Sequence, residues 1–422
     1  MQQVIASSVN DHRFMGAVLV VKDGNALIDQ AYGFADLEWN IPNTPATRFR
    51  IGSVTKQFTA ACVLLLEERG KLTLEDPLKI HLPNSPAAWD RITIQSLLTH
   101  TSGIPDLTRA PDVAVAERID ITPTELVSRL FDKPLDFEPG AKFGYSNSGY
   151  GLLGHLIETI SSQSCADFLR QTIFDPLGMN DTGVDDNTAI LPRRAKGYLR
   201  LSGSTINAPF ISMSFVFGAG DLYSTTADLL KWNRGLWGGK ILSPASLTTM
   251  TAPCLGNYAL GLVVEVKGGR RVIHHGGDIN GFNSMLACYP DDDLTVIVLG
   301  NLNCLMAEQI AEALAKVALG QEVVLASERK TFGVTREILE EYAGTYALSP
   351  VFTITITVAN DHLMAQATAQ PMLPVYAATP TRFFYKAVPA DIEFSRDPVT
   401  HAVTHLTLYQ NGGEFDAKKL PG

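Results

Sequence analysis

The sequence predicts an α+β fold: an antiparallel sheet flanked by helices, with a helical subdomain inserted, followed by a small all-β barrel-like domain. Strand-like runs occupy residues 16–32 and return between residues 260 and 299, with a mainly helical stretch between them. From about Glu341 the pattern switches to strict alternation, as in Phe352-Thr353-Ile354-Thr355-Ile356-Thr357-Val358, with turn signals every ten residues or so. The chain has 422 residues, long for one domain, and divides on this reading into residues 1–325 and residues 336–422.

Gly16 to Val21 and Ala26 to Tyr32 read as two strands around the turn Lys22-Asp23-Gly24-Asn25. After Arg50-Ile51-Gly52 comes an apolar-rich helix from Ser53 to Arg69, ended by Gly70. Leu72 to Met250 is mainly helical and broken by Pro- and Gly-containing loops. Strands return at Leu260 to Val266, Arg271 to His274, Phe282 to Tyr289 and Leu294 to Leu299, and a helix follows at about Met306 to Leu319. Lys267-Gly268-Gly269 reads as a hairpin turn, and Asp291-Asp292-Asp293 as a solvated one. A polar link at Ser327-Glu328-Arg329-Lys330 precedes the β domain.

Composition excludes several functions. The formal net charge of -10 and the lack of basic runs argue against nucleic acid as a partner. No apolar stretch approaches the ~20 residues that a membrane span needs. The five cysteines lack metal or redox spacing and read as small buried hydrophobes. Met1-Gln2-Gln3-Val4 shows neither a basic start nor an apolar signal core. The chain as given therefore reads as cytoplasmic, or as periplasmic or secreted if an export signal has been removed.

The chemistry begins at Ser53-Val54-Thr55-Lys56, where a hydroxyl and an amine three residues apart share one helix face. A serine hydroxyl needs a nearby base, and a lysine whose pKa is lowered can serve. Roughly one Ser-x-x-Lys arises by chance in a chain of this length, and Ser327 to Lys330 is a second copy. Ser53 is favoured because it follows a strand and opens a helix, where free backbone N–H groups favour an oxyanion. Tyr145-Ser146-Asn147 precedes an apolar helix from about Tyr150 to Ile160; a tyrosine beside a cation is expected to lose its proton readily, and an asparagine can hold the lysine or a substrate amide. Tyr409-Gln410-Asn411 repeats that pattern at a hairpin end in the β domain.

Between two strands lies Ile273-His274-His275-Gly276-Gly277-Asp278, whose glycines let backbone approach a ligand and whose Asp278 N–H suits a second oxyanion donor. The adjacent histidines lack helical zinc spacing, so neither metal nor cofactor is expected. His12, His81, His155, His362, His401 and His405 form no cluster.

In this order the three elements resemble the serine β-lactamase and penicillin-binding-protein-like family. The similarity is to the branch of class C β-lactamases, D-Ala-D-Ala carboxypeptidases, D-aminopeptidases and related esterases. Leu98-Thr99-His100-Thr101-Ser102-Gly103-Ile104, Phe137-Glu138-Pro139-Gly140, Pro176-Leu177-Gly178-Met179 and Gly218-Ala219-Gly220-Asp221-Leu222-Tyr223-Ser224-Thr225 agree, across roughly residues 10–320. The resemblance implies a β-lactamase/transpeptidase-like sheet and an acyl-enzyme on Ser53, activated by Lys56. It implies that Tyr145 passes the proton to the leaving group, that Asn147 orients Lys56 and the acyl amide, and that the N–H groups of Ser53 and Asp278 cradle the oxyanion.

Where family β-lactamases commonly carry Lys-Thr-Gly, this chain has His275-Gly276-Gly277. The missing permanent cation weakens the expectation of a carboxylate-bearing β-lactam or C-terminal D-Ala substrate. The tail, with Tyr342-Ala343-Gly344-Thr345-Tyr346 near its start, resembles appended lipocalin-like β domains. The expected activity is hydrolysis of a small amide, ester or short peptide, D-amino-acid peptides included. A carboxylesterase or acyl transferase with the same site remains an alternative, as does a non-catalytic binder of penicillin or cell-wall fragments; a homo-oligomer is left open.

Overall fold

A computed structural model describes residues 1–201, 204–304, 306–323, 329–349, 352–359, 361–368, 370, 372–386, 388, 390–410 and 413–421. Ser327 and Glu328 of the second Ser-x-x-Lys copy, and Asn411 of the second tyrosine motif, lie outside the described residues. The chain forms two compact units, Met1–Gln321 and Glu322–Gly422.

The first unit is built on a six-stranded sheet of β1 (Gly16–Lys22), β2 (Asn25–Tyr32), β3 (Val263–Lys267), β4 (Arg270–Ile279), β5 (Phe282–Tyr289) and β6 (Leu294–Gly300). Their spatial order is β3-β4-β5-β6-β1-β2, every pair antiparallel. The two ends of the unit thus meet where β1 pairs with β6 in the register Gly16↔Gly300 to Lys22↔Leu294. Two tight turns take the form their residues demand. Asp23 and Gly24 have φ of 49° and 76°, and Gly268 and Gly269 have 58° and 77°, the left-handed pair that a two-residue hairpin needs.

β1 and β6 are apolar along nearly their whole length because both faces are covered. Ala17, Leu19, Val21, Ile297 and Leu299 join the large helical core. Their alternating neighbours Val18, Val20, Val296 and Val298 are also buried, on the opposite face. A helix at Ala307–Ala318 packs on β5 and β6.

The helix α1 (Thr55–Glu68) is buried on every side from Thr55 to Leu66, as a helix in the middle of a core must be. It starts later than the sequence suggests, since Gly52–Val54 form a 3-10 turn before it. The helix α2 (Asn147–Ser161) starts earlier than expected, because the Ser146 hydroxyl caps it by accepting from the Gly149 N–H at 3.3 Å. The strand β4 is also longer: His275 to Asp278 lie inside it, not between two strands. Its glycines remain paired, Gly276 with Met285 and Gly277 with Ser284, so they do not end the ladder. Of the cysteines, Cys62, Cys165 and Cys288 are buried as expected, whereas Cys254 is exposed.

In the second unit a helix at Arg336–Tyr342 leads into eight strands, from Gly344–Ser349 to Gly413–Lys419, that close into a barrel of consecutive antiparallel neighbours. Closure pairs the first strand with the last through Tyr346↔Lys419. Alternation sends Ile354 and Ile356 inward, where Tyr342 stacks on Phe394 at 4.1 Å and the interior is filled by side chains. Among the described residues no helix is long and apolar enough to cross a membrane.

Candidate active site

The site forms where β4 lies flush against the turn that carries Ser53. Gly52 holds φ at 51°, and a Cβ on it would sit 2.9 Å from the Asp278 nitrogen. A Cβ on Gly277 would sit 1.9 Å from the Ile51 carbonyl oxygen. Ser284 on β5 completes the seam by donating to that carbonyl at 2.7 Å. Both glycines are therefore required by close backbone approach, which brings the Asp278 N–H beside the Ser53 turn. The Asp278 side chain is exposed and accepts from Asn303 Nδ2 at 2.7 Å.

Lys56, one helical turn on from half-buried Ser53, is fully buried. Its Nζ lies 2.8 Å from Asn147 Oδ1, 2.9 Å from the Ala219 carbonyl oxygen and 3.1 Å from Ser53 Oγ. Two of these partners are pure acceptors, so two N–H bonds are committed to them. The remaining tetrahedral direction faces the Ser53 hydroxyl. Burial lowers the amine to about 7, against the raising influence of the Asp106 and Asp221 carboxylates. Near neutral pH a large fraction of Lys56 is thus uncharged, with its lone pair directed at Ser53 O–H.

Asn147 opens α2 and is fully engaged. Its Oδ1 accepts from Lys56, while its Nδ2 donates to Asp106 Oδ2 at 3.1 Å and Thr108 Oγ1 at 3.0 Å. Both amide hydrogens are spent on the protein, which leaves none for the acyl amide the resemblance assigned to this residue. Asp106 also accepts from the N–H and hydroxyl of Thr108. The sequence reading missed Asp106; its signal was weak, a lone acid after Ile104-Pro105.

The Tyr145 hydroxyl is raised rather than lowered, chiefly by desolvation. The expectation of an easily ionised tyrosine is corrected by burial, which opposes the phenolate more strongly than its surroundings favour it. The Lys56 amine lies 4.8 Å from the Tyr145 ring centroid and 5.4 Å from that of Tyr150.

Behind Tyr145 stands His100, singled out in the sequence only as part of a matching stretch. Its ring centroid lies 4.2 Å from that of Tyr145 and 5.2 Å from that of Tyr150, both tilted, and 4.6 Å from that of Tyr258, which it meets edge-on. Nδ1 accepts from the Ser146 N–H at 3.1 Å, so the proton of the neutral ring belongs on Nε2, which has no hydrogen-bond partner among the described residues. Burial, then Lys56 and His275, hold it well below the usual histidine range.

His275 is also buried and neutral, pushed down to about 3 by burial and then by Lys56. Its Nδ1 faces the Gly276 carbonyl at 2.6 Å, which only accepts, so Nδ1 carries the proton. Nε2 then accepts from the Tyr258 hydroxyl at 2.9 Å. Both ring nitrogens are used within the protein, and the residue presents no cation and no free donor where family β-lactamases commonly have lysine. Among the described residues no three His, Cys, Asp or Glu side chains converge as metal ligands.

Residues 1–319 match the Beta-lactamase family model, and residues 328–421 match a domain of unknown function, DUF3471. The chain belongs to the β-lactamase family of serine hydrolases, and its fold is the β-lactamase/transpeptidase fold followed by a closed eight-stranded barrel. It is 30% identical over 442 residues to penicillin-binding protein 4* of Bacillus subtilis (strain 168), covering 96% of this chain and 95% of that protein. The octameric penicillin-binding protein homologue from Pyrococcus abyssi shares the fold, with a TM-score of 0.70 at 23% identity over 99% of this chain and 98% of that one. D-amino acid amidase from Ochrobactrum anthropi SV3 aligns with a TM-score of 0.65 at 26% identity, over 75% of this chain and 99% of that one.

Proposed function

We propose that the protein hydrolyses small amides or esters through an acyl-enzyme on Ser53, with D-amino-acid amides and peptides as the substrate class. One observation carries this reading: a buried amine near neutrality, its other hydrogens tied to Asn147 and Ala219, faces the Ser53 hydroxyl at 3.1 Å.

In the first step Ser53 gives its proton to Lys56 as Oγ bonds to the substrate carbonyl carbon. The oxyanion then accepts from the N–H groups of Ser53 and Asp278, brought together by Gly52 and Gly277. Collapse breaks the bond to the leaving group, which takes a proton from Lys56 through the Tyr145 hydroxyl; a protonated tyrosine suits a relay that donates and accepts in turn. Water repeats the sequence on the ester and frees Ser53.

The neutral His275 supports substrates without a free carboxylate at that position over β-lactams and C-terminal D-Ala-D-Ala. The likeness to a D-amino acid amidase supports D stereochemistry. The octameric state of the Pyrococcus abyssi homologue supports self-association, which light scattering of the full chain reads directly.

Intact mass spectrometry after exposure to a fluorophosphonate, a penicillin and a p-nitrophenyl ester tests the mechanism. A Ser53 adduct or turnover that Ser53→Ala abolishes is the expected result. If wild type and Ser53→Ala both give neither adduct nor hydrolysis, the protein is a binder and the proposal fails. Rates on D- against L-amino-acid amides, and amides against esters, then separate amidase from esterase.

A further inference from the structure

The third ligand of the Lys56 amine, the Ala219 carbonyl, belongs to a turn that one buried acid organises. Asp221 Oδ2 accepts from the Gly218 N–H at 3.1 Å and so closes the turn Gly218-Ala219-Gly220-Asp221 on itself. Gly218 has φ of 68°, and its carbonyl accepts from Thr59 on α1 at 2.7 Å. The chain leaving the turn is fastened to the same helix, where the Leu222 N–H donates to Thr55 Oγ1 at 3.2 Å. Asp221 is therefore the closing bond of a turn clamped on both sides to the helix that carries Lys56.

Asp221 is 3% exposed, and among the described residues no cation forms an ion pair with it. Its neighbour Asp185 is paired with Arg50 and Arg194, each at 2.6 Å. Burial, aided by Asp185, pushes the Asp221 carboxyl up to about 7 against the lowering influence of the backbone N–H groups of Gly218 and Asp221 and of Lys56. Asp221 also lines a cavity of about 400 Å3, together with Asp185, Asp186, Asp120 and Glu125, and neither Ser53 nor Lys56 lines it. Cys165 faces Asp221 as a neutral thiol, and Lys56 is faced in addition by Asp106, His100 and His275.

We propose that Asp221 is a positioning residue for Lys56: its carboxyl group fixes the turn whose Ala219 carbonyl holds the amine, and when ionised it keeps the proton on that amine. The inference rests on Lys56 being the base for Ser53. Lysine and acid then titrate as a pair over the same range, and the reaction is throttled at the acid side by a group that never touches substrate.

The test is the rate of fluorophosphonate labelling of Ser53 between pH 5 and 9 in wild type, Asp221→Asn and Lys56→Ala. Asparagine keeps an oxygen for the Gly218 N–H and removes the charge. Its acid limb is expected to move down by less than one pH unit, with the gain confined to the range around pH 7 where the wild-type carboxyl is ionised, and the two profiles are expected to converge at lower pH, where that carboxyl is itself protonated. A purely structural role would lower the plateau and leave the midpoint in place, and that outcome overturns the proposal. If Asp221→Asn does not fold, the wild-type limb decides: a pair spreads it beyond the span of a single ionisation, and a single-ionisation limb overturns the pairing. Failure of the underlying reading is distinct, because Lys56→Ala would then label as fast as wild type.

Discussion

Replacing Lys56 by methionine exchanges a buried amine for an apolar chain of similar length and separates stability from activity. The folded amine sits at about 7 against an ordinary 10.5, so between those values the unfolded chain binds a proton that the folded chain does not. Stability from this group therefore rises with pH across that window and is lowest at and below pH 7. The penalty is about 4 kcal/mol at pH 7 and shrinks to about 1 kcal/mol at pH 10. Methionine carries no such penalty, but it leaves Asn147 Oδ1 and the Ala219 carbonyl without their donor, at about 1–3 kcal/mol each and independent of pH. The two effects nearly cancel at pH 7, while at pH 10 the variant falls behind wild type by about 3 kcal/mol more than at pH 7. Urea unfolding of both proteins at pH 7, 8.5 and 10 measures the difference, with Ser53 labelling as the activity readout. A stability difference that stays flat across this range would refute the buried, near-neutral lysine and the base assigned to it.

Gly277→Ala is expected to cost roughly 2–4 kcal/mol and to slow Ser53 labelling, because its Cβ meets the Ile51 carbonyl at 1.9 Å. Gly276→Ala, with its nearest neighbour at 3.6 Å, should leave the melting temperature nearly unchanged; equal effects would remove the argument from close approach. His275→Lys places a second cation near Lys56 and should lower the acid limb of the pH–rate profile by about one unit, whereas an unchanged profile counts against coupling between the two positions. Of the five cysteines, Cys254 should react first with maleimide in the native protein, with Cys62, Cys165 and Cys288 protected until unfolding; peptide mapping reads the order.

Local signals carried much of the fold. Asp23-Gly24 and Gly268-Gly269 announced hairpins because a two-residue turn demands positive φ, and both turns form as read. The alternation of Phe352 to Val358 announced barrel strands for the same kind of reason, since each residue faces inward or outward by position alone. The errors fell where distant chain intervened. The glycines after His275 looked like a break between strands, yet cross-strand pairing with Met285 and Ser284 keeps them in the ladder. Cys254 looked like another buried thiol, but spacing says nothing about exposure.

Ser53, Lys56, Tyr145 and Asn147 were legible because their motifs are short and ordered along the chain. His100, Asp106, Tyr258 and the Asp221 turn were not legible as parts of the site, since each acts through a partner far away in sequence. By itself, then, the sequence determined the pairing of Ser53 with Lys56 and the sheet-and-barrel plan, both of which rest on spacing and periodicity. Tertiary structure alone decided the charge of that pair and its surroundings. Burial moves Lys56 toward neutrality, keeps Tyr145 and His275 uncharged and makes Asp221 a titrating neighbour, and burial is a property of packing that no motif encodes.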